Sequence, residues 1–142
     1  MRPSAWEDDM VALDANVIVR YIAQDDPLQS AAATRVFEEV ITDENHGFIS
    51  SIAMCETLWV LSRAYGQTRE KLVQVIEALL KADNLELEHR DFVWGAMDDF
   101  RNGKADFSGY LIARIGKAQG ASTTLSIDEK ALKTKDLFSR PA

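Results

Sequence analysis

Residues 10–19 read MVALDANVIV: an apolar run that ends on a carboxylate, Asp14, with an amide, Asn16, two positions on. MVALD reads as a short buried strand, and NVIVRYIAQ can open a helix just after it. An acid on a surface loop needs no explanation. One at the tip of a buried strand, with a second polar group beside it, points to a site.

The rest of the chain repeats the alternation. DDPLQSAAATRVFEEVITDEN reads as a helix, with Asp26 as its cap and Pro27 at the first helical position. HGFISS reads as a strand, and Ser50 or Ser51 then caps IAMCETLWVLSRAYG, which stops at Gly66. TREKLVQVIEALLKA carries Leu72, Val75, Ile76, Leu79 and Leu80 at helical spacing. NLELEH alternates as a strand, DFVWGAMDDFRNG and ADFSGYLIARIGKAQG read as helices, and ASTTLSID is the last strand. The expected architecture is α/β, with a central parallel sheet of about 4–5 strands covered by helices on both faces. The expected organisation is a single domain over 1–142, with about 1–8 a loose N-terminal extension and about 136–142 a C-terminal tail.

With 46% hydrophobic and 27% charged residues, the composition is that of a soluble globular protein. The single Cys55 cannot form an intramolecular disulfide. MRPSAWEDDM has three acids and no apolar core, so it is not a signal peptide, and no stretch is long and apolar enough to span a membrane. A cytoplasmic protein is expected. The net charge of −7 argues against a nucleic-acid partner unless acids are gathered around a cation, which inverts the local charge.

The positions of the acids point to such a gathering. In parallel α/β folds ligands bind beyond the carboxyl ends of the strands, where helix N-termini also lie. Asp14 ends the first strand, Glu56 lies early in the helix after the second, Asp106 opens the helix leading into the last, and Asp128 follows it. Four crowded carboxylates repel one another unless a cation neutralises them. Their hard oxygens favour Mg²⁺ or Mn²⁺ over zinc, and His46 and His89 lack metal-site spacing with each other or with Cys55. Such an ion polarises a phosphate and lowers the pKa of a bound water, the arrangement used to cleave phosphodiesters.

LDANVIVRYIAQDDPLQSAAA, ETLWVLSRAYGQTREKL and ADFSGYLIARIGKAQGASTTLSID also resemble the PIN-domain family, most closely its VapC-type toxins of toxin–antitoxin pairs. The resemblance implies an α/β/α sandwich, Mg²⁺- or Mn²⁺-dependent endoribonuclease activity, homodimerisation and inhibition by a cognate VapB-like antitoxin. It makes Asp14, Glu56 and Asp128 family acids, with Asn16 and Ser126 as supporting polar residues. One position departs. Gly109 stands where the family has an Asp, three residues after Asp106, which is one helical turn earlier on the same face.

Two other readings follow from these residues. Gly109 motivates a PIN-like protein impaired in catalysis that binds RNA or a partner as a regulator. Asp14 as nucleophile would suit a Mg²⁺-dependent phosphotransferase or phosphatase, but the second Asp expected two residues later is Asn16. Each acid also has a plainer role. Asp14 can cap a turn or helix, Asp106 can complement a helix dipole, and Asp128 can cap a terminal turn. Glu56 can be a solvated helix residue, although Ile52 and Trp59 flank it on one face. The DD pairs at 8–9, 25–26 and 98–99 read as solvated surface. Arg101, Lys104 and Arg114 are candidates for RNA backbone contacts or ordinary solvated charges.

Overall fold

A computed structural model describes residues 10–142, so the expected extension at about 1–8 and the acid pair at 8–9 lie outside the described residues. The chain divides into two compact units. One holds the described residues up to Thr68 together with Ala78–Glu88, the other Arg69–Glu77 with His89–Ala142.

In the first unit, β1 (Met10–Ala12), β2 (His46–Ile49) and β3 (Leu85–Leu87) form a parallel sheet in the order β1-β2-β3. Met10 lies opposite His46 and Gly47 opposite Leu85. The ladder runs one residue past β1, where the Leu13 N–H donates to the Phe48 carbonyl at 2.9 Å. Helix α1 (Ala15–Ala23) buries Ala15, Ile18 and Val19, and packs against α2 (Pro27–Arg35) and α3 (Ser51–Arg63). Pro27 takes the first position of α2, where its missing N–H is no loss. The helix expected to continue from there loosens into a π turn at Val36–Val40, which ends as the Ile41 N–H donates to the Val36 carbonyl. Phe37 within this turn stacks on Tyr21, their ring centres 4.2 Å apart. Ser50 caps α3 by accepting from the Ala53 N–H, and Gly66, at φ +62°, follows its end in the left-handed conformation.

Helix α4 (Arg69–Lys81) gives its first residues to the second unit and its last to the first. In the second unit α5 (Arg90–Asn102) packs against α6 (Phe107–Ala118). Val93, Ala96, Met97 and Phe100 of α5 and Phe107, Tyr110 and Leu111 of α6 are buried. β4 (Thr124–Leu125) pairs in parallel with β5 (Phe138–Ser139), and a 3₁₀ turn at Ala131–Lys133 lies between them in sequence. The stretch expected to be a C-terminal tail thus carries a strand. Leu137 and Phe138 are buried, and Phe138 meets Tyr110 edge to face.

All five described strands pair in parallel; helices lie between β1, β2 and β3 in sequence, as parallel crossovers require, while β4 and β5 are joined through the 3₁₀ turn. Three lie in one sheet and two in another, in keeping with the expected α/β class and a parallel sheet of about 4–5 strands, although the pairing is split between two sheets. No described helix is long and apolar enough to cross a membrane.

Candidate metal centre

Among the described residues, three helices start on aspartate. Asp14, Asp26 and Asp106 are the N-caps of α1, α2 and α6, each with extended backbone. An aspartate there ordinarily accepts from the second or third helical N–H. Asp26 does so, its Oδ1 taking the Leu28 and Gln29 N–H groups at 3.1 and 2.9 Å. Asp14 and Asp106 make no side-chain capping bond. Both are exposed, so their charge complements the helix dipole while their oxygens stay outside the helix.

In the first unit, buried Leu13 anchors the strand end and leaves Asp14 beyond it. Asn16, also exposed, lines a cleft of about 300 Å³ with Val17, Arg20, Gln29, Ala32 and Val36. Arg20 is held there by Gln29 and Asp25, and the Tyr65 hydroxyl donates to Asp25 at 2.8 Å. That hydroxyl, with Arg20, holds the Asp25 carboxyl below its ordinary range, while Asp25 raises the Tyr65 phenol. Glu56 is exposed on α3. Its apolar neighbours do not cover it: Ile52 is 73% and Trp59 58% exposed. The buried face of α3 is instead Ala53, Met54, Thr57, Leu58 and Leu61.

The second unit gathers Asp106, Gly109, Ser126 and Asp128 around one cleft of about 230 Å³, with the exposed Ile112 and Leu125 among its walls. The Asp128 N–H donates to the Ser126 hydroxyl at 3.0 Å, and Asp128 Oδ1 accepts from the Lys130 N–H at 3.0 Å. Asp128 therefore does close a local turn, as its plainer reading suggests, but with one oxygen. A Cβ on Gly109 would meet only Ala105 Cβ and Phe138 Cζ, both at 3.9 Å, which is ordinary contact. Packing does not require glycine there.

Arg114 forms a two-pronged ion pair with Asp99, both bonds 2.7 Å, which raises the pKa of its guanidinium. Arg101 pairs with Asp98 at 3.1 Å and lies 3.9 Å from Glu77. Lys104 is exposed. The acid pairs at 25–26 and 98–99, expected as solvated surface, hold a helix cap and three arginines between them.

Two residues the sequence reading passed over, Arg69 and Tyr110, hold the loop that delivers Asp106. Arg69 Nη1 donates to the carbonyls of Phe100 and Ala105 at 2.8 and 3.0 Å, and Nη2 to that of Lys104 at 3.1 Å. Its guanidinium carbon lies 4.1 Å from the centre of the Phe100 ring. The fully buried Tyr110 places its hydroxyl oxygen where it accepts the Lys104 and Ala105 N–H groups. A buried tyrosine needs a polar partner, and that was the available signal.

The donors on offer are carboxylates and a hydroxyl, hard oxygen donors of the kind that suit a divalent cation. Neither histidine lines either cleft: His46 pairs with Glu86 at 2.8 Å and His89 stacks on Phe92. Within each unit, among the described residues, no three His, Cys, Asp or Glu side chains are grouped to hold one ion. No curated protein matches the chain. The family described as PIN domain matches residues 11–135, nearly the whole chain, so this protein belongs to the PIN domain family of nuclease-type domains, which typically use divalent metal ions.

Proposed function

We propose that this chain is a Mg²⁺- or Mn²⁺-dependent endoribonuclease, the toxin of a type II toxin–antitoxin pair, with Asp14, Glu56, Asp106 and Asp128 as its metal ligands. The observation that carries this reading is the contrast among the helix-starting aspartates: Asp26 spends its carboxylate on its helix, while Asp14 and Asp106 do not. A bound divalent ion would supply polarisation of the scissile phosphate and a water of lowered pKa. The chain's own residues keep the donors in place. Leu13 fixes the strand end before Asp14, and Ser126 fixes the backbone of Asp128. Asn16 and Ser126 are supporting polar groups, and Arg101, Lys104 and Arg114 are candidates for the RNA backbone.

A VapB-like antitoxin is the proposed inhibitor, since an arginine can pair with clustered carboxylates in place of metal. A homodimer is also proposed; the exposed Ile52 and Trp59 on α3 are the kind of apolar surface such an interface covers. Gly109 favours a second reading, a PIN protein of weakened catalysis, because the fold leaves room for a side chain that the chain omits. One experiment addresses both. Purified protein is incubated with total RNA with Mn²⁺ and with EDTA, alongside Asp14→Asn. Cleavage that needs Mn²⁺ and is lost in the variant supports the nuclease. Intact RNA under all conditions, from folded protein, favours the weakened reading.

A further inference from the structure

The geometry points to Arg69 as a positioning residue for Asp106, acting through the backbone of the loop at 103–105; this rests on the metal-site reading above. Helix α5 ends at Asn102 and α6 is capped by Asp106, so a short loop must turn the chain and fix the first carboxylate of the next helix. Such a turn leaves carbonyls without helical partners. Arg69 answers three of them, from Phe100, Lys104 and Ala105.

The Ala105 bond matters most. That carbonyl belongs to the peptide plane whose nitrogen is that of Asp106, so holding the oxygen restricts the plane from which the Asp106 side chain departs. Tyr110 holds the same segment through two N–H groups, and its hydroxyl is tied at 3.0 Å to Thr134. Gly103 belongs to the same device. A Cβ there would collide with the Tyr110 hydroxyl and come within 2.8 Å of the Asp99 carbonyl. Asp106 itself contributes no capping bond. Its placement is thus set by neighbours, and its oxygens are left for another use. A purely structural arginine would have no reason to affect what those oxygens bind.

The test is a double-mutant cycle read by calorimetric titration of the folded protein with Mn²⁺ alone. Arg69→Lys keeps a positive charge near Phe100 but loses the fork that reaches three carbonyls. Tyr110→Phe removes the other anchor and serves as a second route should the first variant not fold, which circular dichroism decides. The inference expects Mn²⁺ affinity to fall about tenfold in either variant, with faster hydrogen exchange at the Lys104 and Ala105 amides. In an Asp106→Asn background the same substitutions should change affinity no further. An unchanged affinity in folded Arg69→Lys and Tyr110→Phe, where Asp106→Asn weakens it, overturns the positioning role and leaves the metal site standing. An equal loss with and without Asp106 also overturns it. If Asp106→Asn itself leaves Mn²⁺ binding untouched, the metal-site reading fails and takes this inference with it.

Discussion

Helices α2 and α6 begin with the same residue in the same extended conformation, and the two aspartates do different things. Asp26 folds back on its helix and closes two N–H groups; Asp106 closes none, and the loop before it is held by Arg69 and Tyr110. A carboxylate that caps its own helix contributes to stability locally. One that makes no such bond leaves its oxygens clear of the helix. Asp14 at the start of α1 belongs to the second kind.

That contrast makes its strongest claim in activity. Asp14→Asn and Asp106→Asn should each lower Mn²⁺-dependent RNA cleavage on the order of 10²- to 10³-fold, because groups aimed at the reacting charge carry effects of that size. Asp26→Ala should leave the rate of the folded fraction unchanged. Rates measured at matched folded fractions decide it. A comparable loss in Asp26→Ala would erase the distinction between the two kinds of cap.

Gly109 tests the same cleft from the other direction. Gly109→Asp adds a carboxylate beside Asp106, Ser126 and Asp128, where a Cβ meets nothing closer than 3.9 Å. Mn²⁺ should bind roughly an order of magnitude more tightly, and cleavage should rise with it. Replacing this first-turn glycine contributes at most ~1 kcal/mol of stability, offset in part by repulsion among the acids. Thermal melts with and without Mn²⁺ separate the two effects, since metal binding adds to native stability by linkage. Unchanged Mn²⁺ affinity in a stable variant would mean that the cleft is not short of a ligand.

A smaller effect is expected at the cap itself. Asp26→Ala leaves two helix N–H groups without their partner and should destabilise the protein by about 1 kcal/mol, or about 2–4 °C in Tm for a chain of this size. Asp14→Ala removes no capping bond and should shift Tm distinctly less. Equal shifts would show that Asp14 caps α1 in solution.

The sequence already announces much of this arrangement, for identifiable reasons. Asp26-Pro27 and Ser50 mark helix starts because their side chains and ring geometry do one recognisable thing. The first strand, which ends just before Asp14, is visible because an apolar run stops abruptly on a charge. Other features leave no such mark. A π turn at Val36–Val40 differs from α-helix by one residue of bond register, which residue types do not encode. β4 and β5 have two residues each, too few for any period to appear. Ile52 and Trp59 misled because apolar residues at helical spacing usually face the core, and here they face out. Arg69 was invisible because its partners are carbonyls, which every residue carries. Whether an aspartate at a helix start caps or waits for a ligand depends on the orientation of two oxygens. Residue identity alone does not set that.

The least of the expected effects concerns the neighbour of the structural cap. Asp25 is held by the Tyr65 hydroxyl and by Arg20, and both lower its carboxyl pKa in the folded chain. In the unfolded chain the group returns to about 3.9. Its contribution to stability is therefore complete above that value, and is lost as pH falls through the lower folded value, because the unfolded state then binds the extra proton. Asp25→Asn should melt below the native protein by a constant margin near neutral pH, and the margin should close as the solution is acidified from about pH 5 to about 2. Because the pair is exposed, the margin should be small and should shrink further with added salt. A margin that widened on acidification would mean that Asp25 is strained rather than stabilised by its partners. The acid pair at 25–26 would then no longer serve as the purely structural half of the comparison.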